Sequence, residues 1–476
     1  MAPSSSGLGH QVFILATGVR FPLGSPNLLK AIVSAILYLE MVGIFNKKTI
    51  RDIKLTGKRV LLRADYNVPL KDGRVTDDYR IRQSLPTINY ILEQKPAVLV
   101  IISHLGRPEG KPDPDFSLQP VAKHLSQLLG HQISFGRDCI GEAAKAAVAQ
   151  AKPGTLVLLE NLRFHTGEEK NDPAFAKSII EATGAEVFVQ DGFGVVHRVH
   201  ASTDAITELL PSVAGLLIEK EVSVISKAIA EPEHPFVAMV GGAKISDKIE
   251  VLNKFIEIAD GIAVGGALAN NFLVAEGIKI GKSFVEEHVM HETKAILRRA
   301  RSEEKRRNFN FFIPVDAVVS KSMDGRLPTR LVDLSSHTFA DIGSYPKRPL
   351  HSAYCVAVDE LILDIGPISA AEISGAIKMA KMVVWGGTCG VAETKGIAGA
   401  EDPFAHGTRM VVEAMIGSSN NHKNKPFSIV GGGDTVAYVE SEGLVEDFNH
   451  VSTGGSASLD LMVGKKLPGI EALENK

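Results

Sequence analysis

The chain has 476 residues, 45% of them apolar and 22% charged, which is enough to bury the cores of two or three domains. Its formal net charge of −3 gives no overall attraction to nucleic acid or to an anionic membrane. Cys139, Cys355 and Cys389 lie far apart without a CxxC pair, so neither a disulfide framework nor a zinc knuckle is indicated. We therefore expect a globular protein from a reducing compartment that binds neither nucleic acid nor membrane.

The first forty residues differ from the rest. They include Arg20 and Lys30 but no acidic residue before Glu40, a composition that suits an organellar transit peptide. Their longest apolar run, residues 31–39, is too short to span a bilayer. The alternative is that translation starts at Met41, where the sequence begins to read as an ordinary cytosolic enzyme. We expect a cytoplasmic protein, with an organelle as the alternative if the transit peptide is genuine.

Beyond Met41, apolar runs alternate with helical stretches. The runs include KRVLLR, AVLVIIS, TLVLLE and EVFVQ in the first half, and PFVAMV, GIAV, MVVW and PFSIV in the second. Runs that are apolar without alternation predict strands covered on both faces, and the helical stretches between them predict right-handed crossovers. The fold class is therefore α/β with parallel sheets.

Polar and basic side chains follow the apolar runs of the first half. Because parallel strands end at one edge of their sheet, these side chains are expected to lie together. A single arginine in such a place is usually a surface ion pair, but several together indicate a basic bowl for a small, multiply charged anion. The residues are Asp65, Asn67, Arg80, His104, Arg107, Arg163, His197, Arg198 and His200.

The runs of the second half end in glycine. Glycine lets backbone N–H groups approach a ligand, and a helix starting near Thr435 would direct its positive end at a phosphate. Asp434 fits either a helix cap or a ligand of Mg²⁺ that bridges to phosphate oxygens. The glycines are Gly241 and Gly242, Gly265 and Gly266, Gly386 and Gly387, and Gly431 to Gly433, with a second nest in STGGSAS at 452–458.

Two other motifs are rejected. GIKIGKS at 277–283 has three residues between its glycines where a P-loop needs four, and no apolar strand leads into it. No GxGxxG is followed by an acidic residue about twenty positions later, which weakens a dehydrogenase hypothesis.

Taken in order, the motifs resemble those of the phosphoglycerate kinase family from about Phe45 to the carboxyl end. They are RADYNVP, SHLGRP, LLENLRFH, DGFGVVHRVHAS, GGAKISDKI, LDIGP, GGGDT and VSTGGSASLDLMVGKKLPG. The resemblance implies two Rossmann-like domains whose parallel sheets face each other across a hinged cleft. It places an amino-terminal extension at 1–44, a 3-phosphoglycerate-binding domain at 45–212, an interdomain helix at 213–230, a nucleotide-binding domain at 231–452, and a tail that returns to the first domain at 453–476.

The resemblance also implies the reaction, which belongs to glycolysis and gluconeogenesis. A phosphoryl group passes reversibly and in line from 1,3-bisphosphoglycerate to ADP, giving 3-phosphoglycerate and MgATP, in a monomer that closes its domains. Arg80 and Lys244 match the residues that clamp the transferring group. The implied glycerate set is Asp65, Tyr66, Asn67, Arg80, His104, Leu105, Gly106, Arg107, Arg163 and Arg198. The implied nucleotide set is Lys248, Gly265, Gly266, Leu363, Glu393, Gly432, Gly433, Asp434 and Thr435, with Glu393 on the ribose and Asp434 on the metal.

The sequence departs from the family mainly at WGGTCGVAE, 385–393, where the family usually reads W-N-G-P-x-G-V-F-E. Gly386 replaces an asparagine that meets the nucleotide phosphates, and Thr388 and Ala392 replace a proline and a phenylalanine. We expect a looser loop around Glu393 and weaker nucleotide binding. The alternatives to an active kinase are a weakened homologue kept as a binding or regulatory protein and, more remotely, another enzyme on a doubly wound fold.

Overall fold

The structure is a computed structural model that describes residues 12–14, 20–22, 45–334, 355–397, 402–417 and 425–476. In the predicted extension at 1–44 it describes two short strands, β1 (Val12–Ile14) and β2 (Arg20–Pro22), which pair antiparallel. The rest of the extension lies outside the described residues.

The first half of the chain forms a six-stranded parallel sheet in the order β10-β9-β3-β6-β8-β7. Its strands and a small hairpin, β4 with β5, are β3 (Arg59–Arg63), β4 (Leu70–Lys71), β5 (Arg74–Val75), β6 (Val98–Ile102), β7 (Ser134–Gly136), β8 (Thr155–Leu159), β9 (Val187–Gln190) and β10 (Ser212–Ala214). The helices between them are α1 (Tyr79–Glu93), α2 (Gln119–Leu129), α3 (Gly141–Ala149) and α4 (Pro173–Thr183).

Helix α5 (Leu216–Ala230) leads into a second six-stranded parallel sheet, ordered β13-β12-β11-β17-β18-β19, and a three-stranded antiparallel sheet, ordered β15-β14-β16. The strands are β11 (Phe236–Val240), β12 (Gly261–Val264), β13 (Asn310–Phe312), β14 (Asp316–Ser320), β15 (Arg330–Asp333), β16 (Leu361–Ile365), β17 (Met382–Gly386), β18 (Phe427–Gly431) and β19 (His450–Val451). The helices are α6 (Ile249–Ile258), α7 (Gly266–Ala275), α8 (Met290–Arg306), α9 (Pro367–Met379), α10 (His406–Ile416), α11 (Gly433–Ser441), α12 (Ser456–Met462) and α13 (Pro468–Glu471). None of the described helices is long and apolar enough to cross a bilayer.

Both large sheets are buried on both faces, which explains their continuous apolar runs. All five residues of β6 are buried, with Leu99 and Ile101 in one core and Val98, Val100 and Ile102 in another. A strand covered on both faces needs apolar side chains at every position. The predicted α/β class with two parallel sheets is therefore confirmed, and polar groups are left to the strand ends.

The carboxyl-terminal residues pair with the segment that precedes the first sheet and with β10 at the edge of that sheet. The Lys476 N–H donates to the Asn46 carbonyl at 2.8 Å, and the Glu474 N–H donates to the Ser212 carbonyl at 3.0 Å. The chain thus crosses between its halves twice, once in α5 and once near its end. The domain bounds given above stay a prediction.

A buried carboxylate joins α5 to the second sheet. Glu221 accepts hydrogen bonds from His450 Nε2 at 2.7 Å, from the Thr453 N–H at 2.7 Å and from the Thr453 hydroxyl at 2.8 Å. Burial opposes ionisation, but these bonds keep the pKa of Glu221 below its usual value. The crossover helix is therefore fixed to the segment that follows β19.

We expect Glu221→Ala to lower the free energy of unfolding by about 3 to 5 kcal/mol, because His450 would stay buried without its carboxylate. Urea denaturation measures this, with Lys220→Ala, an exposed residue of the same helix, as the control. A loss no larger than that of the control would show that the pair does not stabilise the crossover.

Candidate functional site

The two halves meet around a cleft of about 590 Å³ that both line. A second pocket of about 420 Å³ adjoins it and shares Gly242, Ala243 and Asp434 as lining residues. The cleft therefore has a basic side from the first sheet and a glycine-rich side from the second, and the neighbouring pocket extends it on the glycine side.

The basic side is built from the carboxyl ends of β3, β6, β8 and β9, which lie side by side in the order β9-β3-β6-β8. Strand order alone therefore brings together residues more than a hundred positions apart. Of the predicted glycerate set, the cleft is lined by Asp65, Asn67, Arg80, His104, Gly106, Arg107, Arg163 and Arg198.

Tyr66 and Leu105 belong to that set but do not line the cleft. The Tyr66 side chain is fully buried, with its hydroxyl 3.1 Å from the Ser84 hydroxyl, and Leu105 is buried in the same core. Each therefore supports the strand end that carries its neighbours, and any contact with a ligand would have to come from its backbone.

Arg80, in the first turn of α1, is held in place by the end of β3. Its Nη1 donates to Asp65 Oδ2 at 3.1 Å and to the Asn67 carbonyl at 3.2 Å. Asn67 in turn accepts the Gly106 N–H on its side-chain oxygen at 2.9 Å. About a quarter of the Arg80 side chain, 27%, stays exposed, so the guanidinium is restrained and still open to the cleft.

Arg163 and Arg198 have few partners among the described residues. Arg163 Nη1 donates to the Gly106 carbonyl at 2.7 Å, while its buried Nε has no hydrogen bond and lies 3.3 Å from Glu169. Burial lowers the pKa of Arg163, although a guanidinium stays charged at neutral pH. Both guanidinium groups line the cleft, where an oxyanion would accept from hydrogens that these contacts leave unused.

On the other side, close packing of backbone requires glycine at two positions. Gly387 has φ +100°, and a Cβ there would lie 2.1 Å from the Gly241 carbonyl, while one on Gly241 would lie 2.2 Å from the Thr388 carbonyl. Of the three glycines at 431–433, only Gly432 has a positive φ, at +95°. Gly433 has no atom within 4 Å of the Cβ position, so its missing side chain leaves open space at the start of α11.

Thr435 and Lys248 join these glycine segments. The Thr435 hydroxyl accepts the Gly387 N–H at 2.6 Å, and Lys248 Nζ contacts the Gly241 carbonyl. Burial lowers the pKa of Lys248, although Asp434 and Asp247 oppose this. Lys248 and Asp434, both lining the cleft, are thus close enough to interact.

The remaining nucleotide residues lie around the neighbouring pocket. Gly266, Leu363 and Glu393 line it, and Glu393 is exposed. Gly265 lines neither space, but it precedes α7, where a Cβ would lie 2.8 Å from the Met239 side chain. Gly265 therefore has a packing role. Lys244, the second residue predicted to clamp the transferring group, lines the cleft with an exposed side chain.

Asp434 is the predicted metal ligand, and it borders both spaces. Mg²⁺ in nucleotide sites is usually held by one or two carboxylates and by phosphate oxygens, which suits an exposed carboxylate beside a glycine cradle. Within the described residues, the one group of three potential metal ligands close together is Asp138, Cys139 and His165, and none of these lines the cleft.

The family profile described as Phosphoglycerate kinase matches residues 50–465. The chain belongs to the phosphoglycerate kinase family.

Proteins from several bacteria show the same relationship. Phosphoglycerate kinases of Pelotomaculum thermopropionicum and Koribacter versatilis are 41% and 44% identical to the chain over 430 and 439 residues, 90% of this chain and 100% of each relative. Solved phosphoglycerate kinase structures from Coxiella burnetii and Pyrococcus horikoshii are 34% and 28% identical, with TM-scores of 0.69 and 0.74, over 90% of this chain and 98% of each of theirs. The expected phosphoglycerate kinase fold is confirmed.

The loop that departs from the family pattern, 385–393, is held more firmly than we expected. The Cys389 N–H donates to the Thr408 hydroxyl at 3.0 Å, and its carbonyl accepts the Gly266 N–H at 2.8 Å. The Val391 N–H donates to the Leu363 carbonyl at 2.9 Å, and Ala392 is buried in the core. These contacts argue against a loose loop, and they leave the missing amide at Gly386 as the main departure.

The sequence analysis missed three residues beneath the basic side. Arg63, Glu168 and Ser202 are buried and hydrogen bonded in one network. Arg63 is the last residue of the run KRVLLR and the first of the motif RADYNVP, so both its place at a strand end and the motif were available signals. Glu168 and Ser202 lie in loops where no periodic pattern marks them.

The glycine contacts predict different outcomes at two adjacent positions. Gly387→Ala should force the segments at 241–242 and 386–388 apart and abolish nucleotide binding, because of the backbone clash and the positive φ. Gly386→Ala, with its nearest atom 3.5 Å from the Cβ position, should bind nucleotide nearly as the parent does. Calorimetric titration with ATP measures both, and equal affinities in the two variants would contradict the assignment.

Proposed function

We propose that the chain catalyses the reversible transfer of a phosphoryl group between 1,3-bisphosphoglycerate and ADP, giving 3-phosphoglycerate and ATP. One observation carries this proposal: a single cleft has arginines on one side and glycine-lined strand ends on the other. The first suits a small polyanion, and the second suits the phosphates of a nucleotide. Membership of the family supplies the identity of the two substrates.

The transfer needs alignment and positive charge, and it needs no nucleophile from the protein. The acceptor oxygen belongs to a substrate and attacks in line. The protein must therefore align two anionic substrates and stabilise the oxygens of the phosphoryl group in the transition state. We assign this stabilisation to Arg80, which Asp65 and Asn67 restrain, and to the exposed ammonium of Lys244 from the opposite side.

On the basic side, we assign the glycerate carboxylate and phosphate to the guanidinium groups of Arg107, Arg163 and Arg198 and to His104. All four line the cleft. Paired donors of a guanidinium match the geometry of carboxylate and phosphate oxygens, which a single ammonium cannot do. The hydrogen bond from Arg163 Nη1 to the Gly106 carbonyl supports this assignment, because it fixes the guanidinium at the cleft wall.

On the glycine side, we assign the phosphates to the backbone at 432–435 and to Lys248, the ribose to Glu393, and the base to the apolar surface that includes Leu363. Asp434 would hold Mg²⁺, because its carboxylate would otherwise repel the phosphates. When bound, the ion would neutralise phosphate charge during the transfer.

The two substrates bind to different halves of the chain, so we propose that the halves close to bring them together and to exclude water. The proposed hinge is the segment 213–229, which includes nearly all of the crossover helix α5. We further propose a cytoplasmic monomer that acts only on small molecules. Its three cysteines, all unpaired, support a reducing compartment.

A family member kept only for binding or regulation is not favoured. Such a protein could lose the residues proposed for phosphoryl transfer and nucleotide binding, but here they are present and line the cleft or its neighbouring pocket. They are Arg80, Lys244, Lys248, Glu393 and Asp434. Assaying 3-phosphoglycerate-dependent consumption of ATP in a coupled system tests the proposal, and absence of turnover in folded protein would overturn it.

Arg80→Met should lower kcat about a hundredfold or more while leaving the fold and ATP affinity nearly unchanged, because the charge is needed mainly in the transition state. Steady-state kinetics measure the effect, with Arg82→Met on the exposed face of the same helix as the matched control. Turnover of the Arg80 variant within about threefold of the control would refute the assigned role.

Gly386→Asn should lower the KM for ATP by about one to two orders of magnitude, because a charge-assisted hydrogen bond contributes about 1.5 to 3 kcal/mol. At Gly386 the structure accommodates a Cβ, with the nearest atom 3.5 Å away, whereas Phe at the buried Ala392 would overpack the core. The KM for 3-phosphoglycerate serves as the internal control and should not change. An unchanged KM for ATP would mean that another group already fills the place of the amide.

A further inference from the structure

The imidazole of His104 is hydrogen bonded through Nδ1 to a buried arginine. The ring is buried, and its Nδ1 lies 3.2 Å from Arg63 Nη2. A guanidinium only donates, so Nδ1 must accept this hydrogen bond, and the single proton of the neutral ring must be on Nε2. His104 lines the cleft and Arg63 does not.

The surroundings of the ring exclude the other assignment. A proton on Nδ1 would need an acceptor, but the nearest carboxylate oxygen, Asp65 Oδ1, lies 3.7 Å away, beyond hydrogen-bonding distance. A second proton on the ring is also disfavoured. Burial lowers the pKa of His104 well below its ordinary value, and the surrounding guanidinium groups add to this effect. They belong to Arg63, Arg163, Arg80 and Arg198.

Arg63 cannot turn away, because its other two nitrogens are also hydrogen bonded. It is buried at 1% exposure, its Nε donates to the Ser202 hydroxyl at 2.8 Å, and its Nη1 contacts the Ala64 carbonyl. Since Ser202 accepts from Arg63, its hydroxyl proton is free for another partner. It donates to Glu168 Oε1 at 2.7 Å, and the Ser202 N–H donates to Glu168 Oε2 at 3.1 Å.

The hydrogen bonds therefore diverge from Arg63, which donates to His104 beside the cleft and, through Ser202, connects to a buried carboxylate. His104 accepts from Arg63, Arg63 donates to Ser202, and Ser202 donates to Glu168. Glu168 is fully buried and is the acceptor at the end of this chain. Reversing any single link would leave a buried donor facing a donor, so the direction is fixed as a unit.

We propose that Arg63 is a positioning residue that, backed by Ser202 and Glu168, holds His104 as the Nε2–H tautomer so that the imidazole presents a hydrogen-bond donor to the cleft. This inference rests on the proposed function for its ligand, an oxyanion of the glycerate substrate. It explains why a histidine with no charge sits among arginines: the ring adds a directed donor without adding to their mutual repulsion. It also makes the site selective for acceptor oxygens at this position.

Nitrogen-15 NMR of protein labelled at histidine reads the tautomer directly. At pH 7 we expect His104 to show a protonated Nε2 and an unprotonated Nδ1, with its signal assigned by its absence from the His104→Gln spectrum. Arg63→Met should lose this preference, whereas Arg59→Met, at the exposed start of the same strand, should keep it. The wild-type spectrum is decisive even if Arg63→Met does not fold, and a proton on Nδ1 would overturn the inference.

Two substitutions separate the roles of the ring nitrogens. The amide nitrogen of glutamine reaches the position of Nε2 and keeps the donor, whereas asparagine mimics Nδ1 and keeps only the acceptor for Arg63. The KM for 3-phosphoglycerate should therefore be about tenfold higher or more in His104→Asn than in His104→Gln, with the KM for ATP unchanged in both. The reverse order would contradict the inference. A wild-type protein that turns over no 3-phosphoglycerate would instead refute the proposed function. The NMR spectrum would still decide the tautomer of His104, because it does not depend on turnover.

Discussion

Repulsion among like charges is the constraint that shapes the basic side of the cleft. Arginines from several strand ends converge there before any substrate is present, and each adds to the electrostatic cost of the next. The structure offsets this cost with buried carboxylates, Asp65 beside Arg80 and Glu168 behind Arg63, and with a histidine that stays neutral. A polyanion bound in the cleft would complete the balance, because it would accept hydrogen bonds from the guanidinium groups that line the cleft.

The opposite side solves a different problem. Nucleotide phosphates also need positive potential, but here it comes mainly from backbone N–H groups and the start of α11. Such a site requires the strand ends to approach closely. Gly241 and Gly387 allow this, because a Cβ on either residue would collide with a backbone carbonyl of the neighbouring segment. The cost is that few side chains specify the phosphates, so the loss of one amide at 386 matters more than it would in a site rich in side chains.

The sequence predicted the parts of the site that depend on strand order. Asp65, His104 and Arg163 were found because each follows an apolar run, and parallel strands place such residues together. Tyr66 and Leu105 show the limit of a motif, since both belong to site motifs but pack into the core. Arg63 and Glu168 were missed because burial of a charge depends on tertiary partners, which no local pattern records. The looseness expected at 385–393 was also not borne out by the contacts, because backbone hydrogen bonds to distant segments replace the missing proline and phenylalanine.

The two sides of the cleft are connected through one short segment. Tyr79, next to Arg80 in α1, donates its hydroxyl to the Val451 carbonyl at 2.5 Å. Two residues later, Thr453 is bonded to Glu221 of the crossover helix. The segment 451–453 therefore contacts both the helix that carries Arg80 and the helix proposed as the hinge. A change in the angle between the halves must change at least one of these contacts, so the position of Arg80 is tied to closure by covalent and hydrogen-bonded neighbours rather than by the substrate alone.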